Sequence, residues 1–364
     1  MSAPSAQAIE RELAALWKEE KAEKGVGGVQ RVYTTNLVAF ASDHETGFRV
    51  EKTLDELVLR YPGRYILIRP AADRAEAPLR YYIAGHCLFW SEKERKVCCD
   101  IIKLVAQPEI IENLYGFTFS LLVPDLPVEL WWPGDLPLGN VFFDKMAQEC
   151  SRVWVDSSRF SHPELSLAKL AAVWKTRFSS TLLGDMNWVR TQRWRALIAE
   201  LFDGEWAKYL PKVKQVTIEY GEGSQATRGF YIACWIASRL KWSYKGPRLK
   251  AFPDEMEWEG PLGKIQVTFK AVPVADVKRD RIFGVGLLTD SDSPGYFSVI
   301  RDQDPHCVVA RSEINGKVAF SRPVSFEHLH TNQVLGEGLR HQEPELAWEE
   351  TLQTVGSILE RPKE

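Results

Sequence analysis

The sequence lacks the short motifs that identify most classes of enzyme. It contains no P-loop, no nucleophile elbow and no H-E-x-x-H zinc motif. The glycines of Gly25-Val26-Gly27-Gly28 have the wrong spacing for a dinucleotide-binding loop, and they follow a predicted helix rather than a strand. We therefore expect no catalytic residue, no metal site and no bound cofactor.

The sequence also lacks an excess of charge and a long apolar run. The formal net charge is -3 over 364 residues, so the composition does not favour a nucleic acid or an anionic membrane as partner. No apolar run approaches the ~20 residues of a membrane-spanning helix, and the first residues lack the apolar core of a signal peptide. We expect a cytoplasmic protein with neither kind of partner.

Cysteines are few and follow no recognisable pattern. None of the six cysteines belongs to a C-x-x-C pair or a zinc-binding spacing. Adjacent Cys98 and Cys99 would make a poor disulfide, because a bridge between neighbours strains the backbone. In a reducing compartment a cysteine is most often a small buried hydrophobe. Redox pairing of distant cysteines stays open, with Cys98, Cys99 and Cys150 as candidates.

Tryptophan, by contrast, is abundant, and two of the 13 tryptophans are adjacent. Trp131 and Trp132 end an apolar strand predicted within the proline-flanked segment Leu121–Pro137. Successive strand residues point to opposite faces. We therefore expect one indole in a core, and the other against a helix, in a groove or at a partner.

The tryptophan pair also suits a sugar-binding protein or enzyme. With Asp125 and Asp135 nearby, the indoles would form a stacking platform for a sugar ring. The turn 221–224 precedes a predicted helix whose amino terminus would hold a phosphate. A glycine turn with a serine cap explains that segment equally simply.

Residues 1–30 are predicted to contain an amphipathic helix. Ile9, Leu13, Leu16 and Trp17 recur at the spacing of one helical face. We expect this face to pack on the rest of the chain.

Residues 31–162 are predicted to form an α/β sandwich. Strands at 35–40 and 64–68 flank a helix that would begin at a capping box of Thr53 and Glu56. This βαβ unit implies parallel neighbouring strands. A hairpin, the tryptophan strand and one further strand complete the domain.

Residues 163–364 are predicted to form an α+β domain. A turn at 183–188 leads into an amphipathic helix that carries Trp194. A strand at 213–220 and short strands between 265 and 320 indicate an antiparallel meander. A last helix ends the chain.

Trp188, Arg190 and Arg193 surround the start of that amphipathic helix. Tryptophan and arginine are enriched at interface hot spots, which makes these residues candidates for contact with a partner. Alternatively, the indole packs internally while the arginines pair with Glu200 and Asp203. The residues alone leave both interpretations open.

Several segments, in this order and at these spacings, resemble the OpcA family of glucose-6-phosphate dehydrogenase assembly proteins. The segments that carry the resemblance are Ile9–Trp17, Tyr61–Ile68, Leu121–Asp135, Ser151–Ser157, Asp185–Arg195 and Ala233–Leu240. Tyr61 stands where the family usually has histidine, and the resemblance fades beyond Trp242.

The resemblance implies a non-catalytic allosteric activator. Family members bind glucose-6-phosphate dehydrogenase, promote its active oligomer and raise its activity at low substrate, and in cyanobacteria the effect is linked to redox state through thioredoxin. The candidate contacts with the dehydrogenase are Trp131, Trp132, Trp188, Arg190 and Arg193. A carbohydrate or sugar-phosphate site on the tryptophan pair is the alternative.

Overall fold

The computed structural model describes residues 4–23, 29–72, 77–89, 96–222, 226–273, 281–304, 306–340 and 343–360. Contacts divide the chain into two compact units. The first comprises Met1–Asp156, Thr176–Met186 and Thr331–His341, and the second comprises Ser157–Lys175, Asn187–His330 and Gln342–Glu364. The division into 1–30, 31–162 and 163–364 stays a prediction about independently folding domains.

The helices and strands alternate through most of the chain. The α-helices are α1 Ala6–Glu23, α2 His44–Leu57, α3 Pro108–Ile111, α4 Leu114–Phe119, α5 Val141–Glu149, α6 Pro163–Arg177, α7 Met186–Arg190, α8 Gln192–Glu200, α9 Thr227–Arg239, α10 Thr331–Arg340 and α11 Leu346–Ile358. The strands are β1 Val29–Arg31, β2 Asn36–Phe40, β3 Arg64–Pro70, β4 Leu79–Phe89, β5 Lys96–Ala106, β6 Val128–Trp132, β7 Arg152–Val155, β8 Leu182–Asp185, β9 Val213–Gly221, β10 Ser243–Tyr244, β11 Glu255–Gly260, β12 Gly263–Val272, β13 Ile282–Thr289, β14 Gly295–Arg301, β15 Cys307–Ile314 and β16 Lys317–Ser325. Two 3₁₀ helices lie at Ser157–Arg159 and Gly204–Lys212.

The first unit is built on a sheet whose central strands are all parallel. Their order is β5-β3-β2-β6-β7-β8. β4 runs antiparallel to β5, and β1 pairs in parallel with the start of β5. Every residue of β2 and β7 is buried, because helices and loops cover both faces of a parallel sheet. The core of this unit therefore lies on both sides of the sheet.

The second unit is built on a mostly antiparallel sheet. Its order is β10-β11-β12-β9-β13-β14-β15-β16, and only the pair of β12 and β9 is parallel. Buried and exposed side chains alternate along β11 and along much of β12. Helices α8 and α9 contact one face, at β14 and β9. The opposite face carries the exposed side chains, as is common for antiparallel sheets.

The expected combination of an α/β and an α+β architecture is confirmed, but two predicted elements are wrong. Residues 183–188 form the end of β8 and the start of α7 rather than a turn, because β8 extends the parallel sheet beside β7. Thr53 lies inside α2, where its hydroxyl donates to the carbonyl of Arg49 at 2.8 Å, so it caps nothing. The predicted meander is present as β13-β14-β15-β16, and β9 separates it from β12.

Helix α10 belongs to the first unit although it follows β16 in the chain. It contacts α2, and two of its residues are glycines that face aromatic rings. A Cβ added at Gly336 would lie 2.2 Å from the ring of Tyr61, and one at Gly338 would lie 2.3 Å from the ring of Trp154. The glycines therefore allow the helix backbone to sit directly on these rings.

Candidate functional sites

The centre of the first sheet contains a reversal of strand order. From β2 the chain leads outward to β3 and β5, whereas from β6 it leads outward in the other direction to β7 and β8. In an open parallel sheet, ligands bind in the crevice at the carboxyl ends of the strands where this reversal occurs. Phe40 and Trp132 are the last residues of β2 and β6, so they stand at this crevice.

Aromatic rings pack together at these two strand ends. The rings of Phe40 and Trp132 are stacked, with centroids 4.2 Å apart and planes 3° from parallel. Phe143 meets Trp132 edge-on at 5.1 Å, and Phe142 lies 5.9 Å from Phe40. All four side chains are buried, and the indole N–H of Trp132 donates to the carbonyl of Asp135 at 3.0 Å. Each such aromatic pair adds about 0.5–1.5 kcal/mol to the stabilisation from burial.

Trp131 points to the opposite face of β6 and is also buried. Its side chain is 2% exposed, and that of Trp132 is 6% exposed. The two environments differ, as strand alternation requires, but both are internal because the parallel sheet is covered on both faces. Neither indole offers a ring face to solvent on which a sugar could stack.

The turn between β2 and α2 is closed by an acidic cap. One carboxylate oxygen of Asp43 accepts from the backbone N–H of Thr46 at 2.8 Å, and the other accepts from the hydroxyls of Thr46 and Ser42, each at 2.8 Å. The bond from the Thr46 N–H is the largest cause of the lowered pKa of Asp43. The carboxylate is therefore ionised at neutral pH and occupies the amino terminus of the helix, where anions are favoured.

A second polar cluster lies at the other end of the strands. Asp100 is fully buried and accepts from the Trp17 indole at 2.8 Å, the Tyr33 hydroxyl at 2.5 Å and Nη2 of Arg64 at 2.8 Å. Arg64 also donates to Glu10. Burial, together with the bond to Asp100, raises the pKa of Tyr33 to about 12. Burial lowers the pKa of Arg64, but Asp100 and Glu10 outweigh it and the net shift is upward.

This cluster anchors α1, because Trp17 and Glu10 belong to that helix. Sequence reasoning missed it, although a signal was present. Asp100 lies between the apolar pairs Cys98-Cys99 and Ile101-Ile102 of its strand, and an aspartate is almost never fully buried unless it is paired. Its partner Arg64 is 36 residues away and faces it through the register of β3 and β5.

The candidate redox cysteines are in different states. Cys98 forms a disulfide, and Cys87 lies opposite it in the register of β4 and β5. Cys99 and Cys150 are free and buried. Burial raises the pKa of Cys99 to about 11 and raises the pKa of Cys150 further above its ordinary value. Because the thiolate is the reactive form, these two thiols are poor nucleophiles at neutral pH.

In the second unit, Trp188 lies in a buried cluster rather than at a surface. It is 2% exposed, and its indole N–H donates to Glu345 at 2.8 Å. The guanidinium of Arg195 lies 3.3 Å above the Trp188 ring and donates to the same carboxylate at 3.1 Å. Burial lowers the pKa of Arg195 to about 10, more than the half-exposed Glu345 raises it. Trp348 packs 5.3 Å from Trp188.

Of the five residues predicted to contact a partner, only Arg193 is exposed. It donates to the carbonyl of Ser325 at 2.7 Å, and its guanidinium lies 5.0 Å from the ring of Phe326. Arg190 is half-buried and donates to the hydroxyl of Ser158 at 3.4 Å. The structure therefore does not bring the predicted contacts together in one exposed patch.

Within the described ranges, no helix has the length and apolar character needed to cross a membrane. The same part of the chain contains no group of three His, Cys, Asp or Glu residues placed to hold a metal ion. The rings of His328 and His330 lie 6.2 Å apart and meet edge-on.

Two family models match the chain, in sequence order. Residues 55–172 match the glucose-6-phosphate dehydrogenase subunit N-terminal domain, and residues 181–352 match the C-terminal domain of the same subunit. The second match extends through the region in which the sequence resemblance fades.

Curated relatives are also similar. A protein of Nostoc punctiforme provisionally named OxPP cycle protein OpcA is 28% identical over 235 residues, which cover 61% of this chain and 48% of that protein. One of the same name from Synechococcus elongatus is 30% identical over 183 residues, 50% of this chain and 40% of that protein. The chain thus spans less than half the length of these relatives.

Among solved structures, one from Erwinia carotovora, provisionally described as an oxidoreductase, is similar in fold. The alignment covers 90% of this chain and 99% of that chain, with a TM-score of 0.43 and 9% sequence identity. Such values support no argument about function.

Proposed function

The chain belongs to the OpcA family of glucose-6-phosphate dehydrogenase assembly proteins, and from this premise we propose that it is a non-catalytic allosteric activator of that dehydrogenase. In this proposal it binds the enzyme in the cytoplasm, promotes the active oligomer and so increases flux through the oxidative pentose phosphate pathway. The supporting observation is that the two dehydrogenase-subunit family models match in order over residues 55–172 and 181–352.

Activation of this kind requires a difference in affinity. A binding protein shifts the dehydrogenase toward its active state only if it binds that state more tightly than the inactive one. A tenfold gain in apparent substrate affinity corresponds to only about 1.4 kcal/mol of coupling. A few well-placed contacts supply that amount, so a modest interface is sufficient.

A steady-state assay of the dehydrogenase from the same organism tests the proposal. Glucose 6-phosphate is varied with and without this chain at fixed NADP⁺. We expect a lower half-saturation concentration or a higher maximal rate, together with co-elution of the two proteins on size exclusion. Unchanged kinetics without co-elution would exclude the activator role.

Arg193 is the candidate contact that a partner can reach directly. Because it is exposed and lies beside the ring of Phe326, we propose that Arg193→Ala weakens binding of the dehydrogenase. Arg60→Ala, at an exposed arginine of the first unit, is the matched control. Because Trp131, Trp132 and Trp188 are buried, they would contribute to binding of the dehydrogenase only by stabilising the fold beneath the contact surface. Equal affinity of the Arg193 and Arg60 variants would remove Arg193 from the interface.

We further propose that any redox dependence of activation resides at the disulfide of Cys98. The raised pKa values of Cys99 and Cys150 make these thiols poor participants in thiol exchange. The assay is repeated after reduction, with Cys98→Ser and Cys150→Ser as test and control. Loss of redox dependence in both variants, or persistence in Cys98→Ser, would contradict this assignment.

A further inference from the structure

The strand order of the first unit is one that many dinucleotide-binding proteins share. Counted along the chain from β2, the central parallel strands β5-β3-β2-β6-β7-β8 have the order 3-2-1-4-5-6, which is that of doubly wound dinucleotide-binding sheets. In such sheets the pyrophosphate lies at the first strand-to-helix turn, beside the crevice between strands one and four. Here these features are the turn from β2 to α2 and the crevice between β2 and β6.

The turn lacks the glycines that a pyrophosphate requires. The fingerprint G-x-G-x-x-G places its glycines for a tight turn, for close approach of the phosphate and for packing of the helix on the sheet. Ser42, His44 and Gly47 stand at these three spacings. Only the packing glycine is present, and a Cβ added to Gly47 would lie 3.3 Å from Cδ of Arg69. At the position of closest approach, His44 carries a side chain.

The amino terminus of α2 is already occupied by an anion of the chain itself. Asp43 accepts the N–H of Thr46 at 2.8 Å, and its lowered pKa keeps it ionised at neutral pH. In a dinucleotide-binding protein this helix end is free to hold the pyrophosphate. A carboxylate there removes a hydrogen-bond donor and repels the phosphate charge.

Aromatic side chains also pack at the two strand ends that flank the crevice. The stacked rings of Phe40 and Trp132, 4.2 Å apart, join the carboxyl ends of the two strands that would have to flank the ligand. Both side chains are buried, as are Phe142 and Phe143 behind them. A ligand could enter only by displacing this packing, and close-packed interiors do not open without substantial cost.

One feature of a dinucleotide site persists. Arg69 lies at the carboxyl end of β3, where an arginine accommodates the 2′-phosphate of NADP. Its stem packs on Gly47. A single cation does not compensate for the missing phosphate loop and the aromatic packing at the strand ends.

We infer that this crevice does not bind dinucleotides, because the aromatic stack makes it part of the buried core. The chain has the strand order of a dinucleotide-binding sheet without the means to hold a dinucleotide there. In a complex of this chain with the dehydrogenase, any NADP(H) bound in a crevice of this kind therefore occupies a site of the dehydrogenase.

Hydrogen–deuterium exchange of the full chain alone tests this inference. Exchange is measured with and without millimolar NADP⁺, NADPH or NAD⁺, and the peptides that cover residues 36–50 and 128–145 report on the crevice. We expect no change in their exchange, while the dehydrogenase under the same conditions shows protection. Protection of these peptides by any of the three nucleotides would overturn the inference, whether or not the chain activates the dehydrogenase.

The variant Asp43→Asn separates the two barriers. Asparagine keeps the helix cap but removes the negative charge, whereas the aromatic stack is unchanged. We expect Asp43→Asn to bind no nucleotide either. Nucleotide-dependent protection in this variant would show that the carboxylate alone excludes the ligand, and it would overturn the assignment of the stack as a barrier.

Discussion

Two buried arginines, one in each unit, have opposite pKa shifts. Arg64 and Arg195 are similarly buried, with side chains 5% and 10% exposed. The pKa of Arg64 is raised, whereas that of Arg195 is lowered to about 10. The difference lies in the counter-charges, and Arg64 has the partly exposed Glu10 as a second partner besides Asp100. Asp100 is fully buried beside Arg64, whereas Glu345 is half-exposed beside Arg195.

This difference shows that burial of a cation does not by itself decide its protonation. A buried carboxylate is poorly screened, so its attraction exceeds the desolvation of the guanidinium. A solvated carboxylate is screened, and the ring of Trp188 then supplies part of the stabilisation of Arg195. Arg64 is therefore stabilised mainly by ion pairs, whereas Arg195 is stabilised in part by an aromatic contact.

Removal of the buried anion gives the largest expected effect. Asp100→Ala leaves Arg64 with only the partly exposed Glu10 as counter-charge, and breaking a buried ion pair in this way costs about 3–5 kcal/mol in the free energy of unfolding. Chemical denaturation measures it. The double variant Asp100→Leu with Arg64→Met removes both charges and should be less destabilised than Asp100→Ala. If the double variant is as unstable as Asp100→Ala, loss of the ion pair does not explain the destabilisation.

Arg195→Met sharpens the comparison in the second unit. Methionine keeps an apolar stem on Trp188 but loses the cation–π contact, at a cost of about 2 kcal/mol. The half-exposed Glu345 is then hydrated, so no buried charge remains unpaired. The same denaturation experiment measures the loss of unfolding free energy. A loss equal to that of Asp100→Ala would contradict the proposed difference between the two arginines.

Glu345→Gln should have a smaller effect. Trp188 and Arg195 donate to different oxygens of Glu345. The single amide oxygen of glutamine still accepts from the Trp188 indole, and the charged bond from Arg195 is lost. We expect a loss of about 1 kcal/mol. Glu10→Gln is the matched change in the first unit, because Glu10 is also partly exposed beside its arginine. A much larger loss for Glu10→Gln would mean that Asp100 is not the dominant partner of Arg64.

The smallest expected difference occurs only at alkaline pH. There the stability contributed by Tyr33 in the first unit and by Arg195 in the second should change in opposite directions as the pH rises. Tyr33 has its folded pKa raised to about 12 from an ordinary 10.0, so its stabilisation is present below pH 10.0 and is lost as the pH rises through 12. Arg195 has its folded pKa lowered to about 10 from 12.5, so its penalty is present below pH 10 and is relieved above it.

Stability of wild type relative to Tyr33→Phe should therefore fall above pH 10, and stability relative to Arg195→Met should rise. Urea denaturation at a series of alkaline pH values measures both differences. If the two stability differences change in the same direction as the pH rises, the result contradicts the opposite pKa shifts.

The sequence predicted the local elements of the fold better than their arrangement. Helix α1 was predicted at the correct position because its apolar spacing is regular, and the hairpin of β4 and β5 because its strands are adjacent in the chain. The neighbours of β6 were not predictable, since β2 is about ninety residues earlier in the chain and pairs through the register Ala39 to Trp131. The sequence predicts a turn at the position of β8, because this strand is short and contains Gly184 and Asp185.

The candidate sites show the same limit. The sequence indicated that tryptophans and arginines matter, but whether an indole packs internally or meets a partner depends on which elements cover it. Trp131 is covered because its sheet is parallel and packed on both faces. Arg193 is exposed because it lies on the outer side of α8.

By itself the sequence determined the family, the class of fold and the absence of known catalytic motifs, because these depend on residue order and local spacing. Only the tertiary structure decided that Phe40 meets Trp132, that Asp100 meets Arg64 and that Glu345 meets Arg195. Each of these contacts joins residues far apart in the chain. Strand register and helix packing set such contacts, and neither is encoded in any short segment.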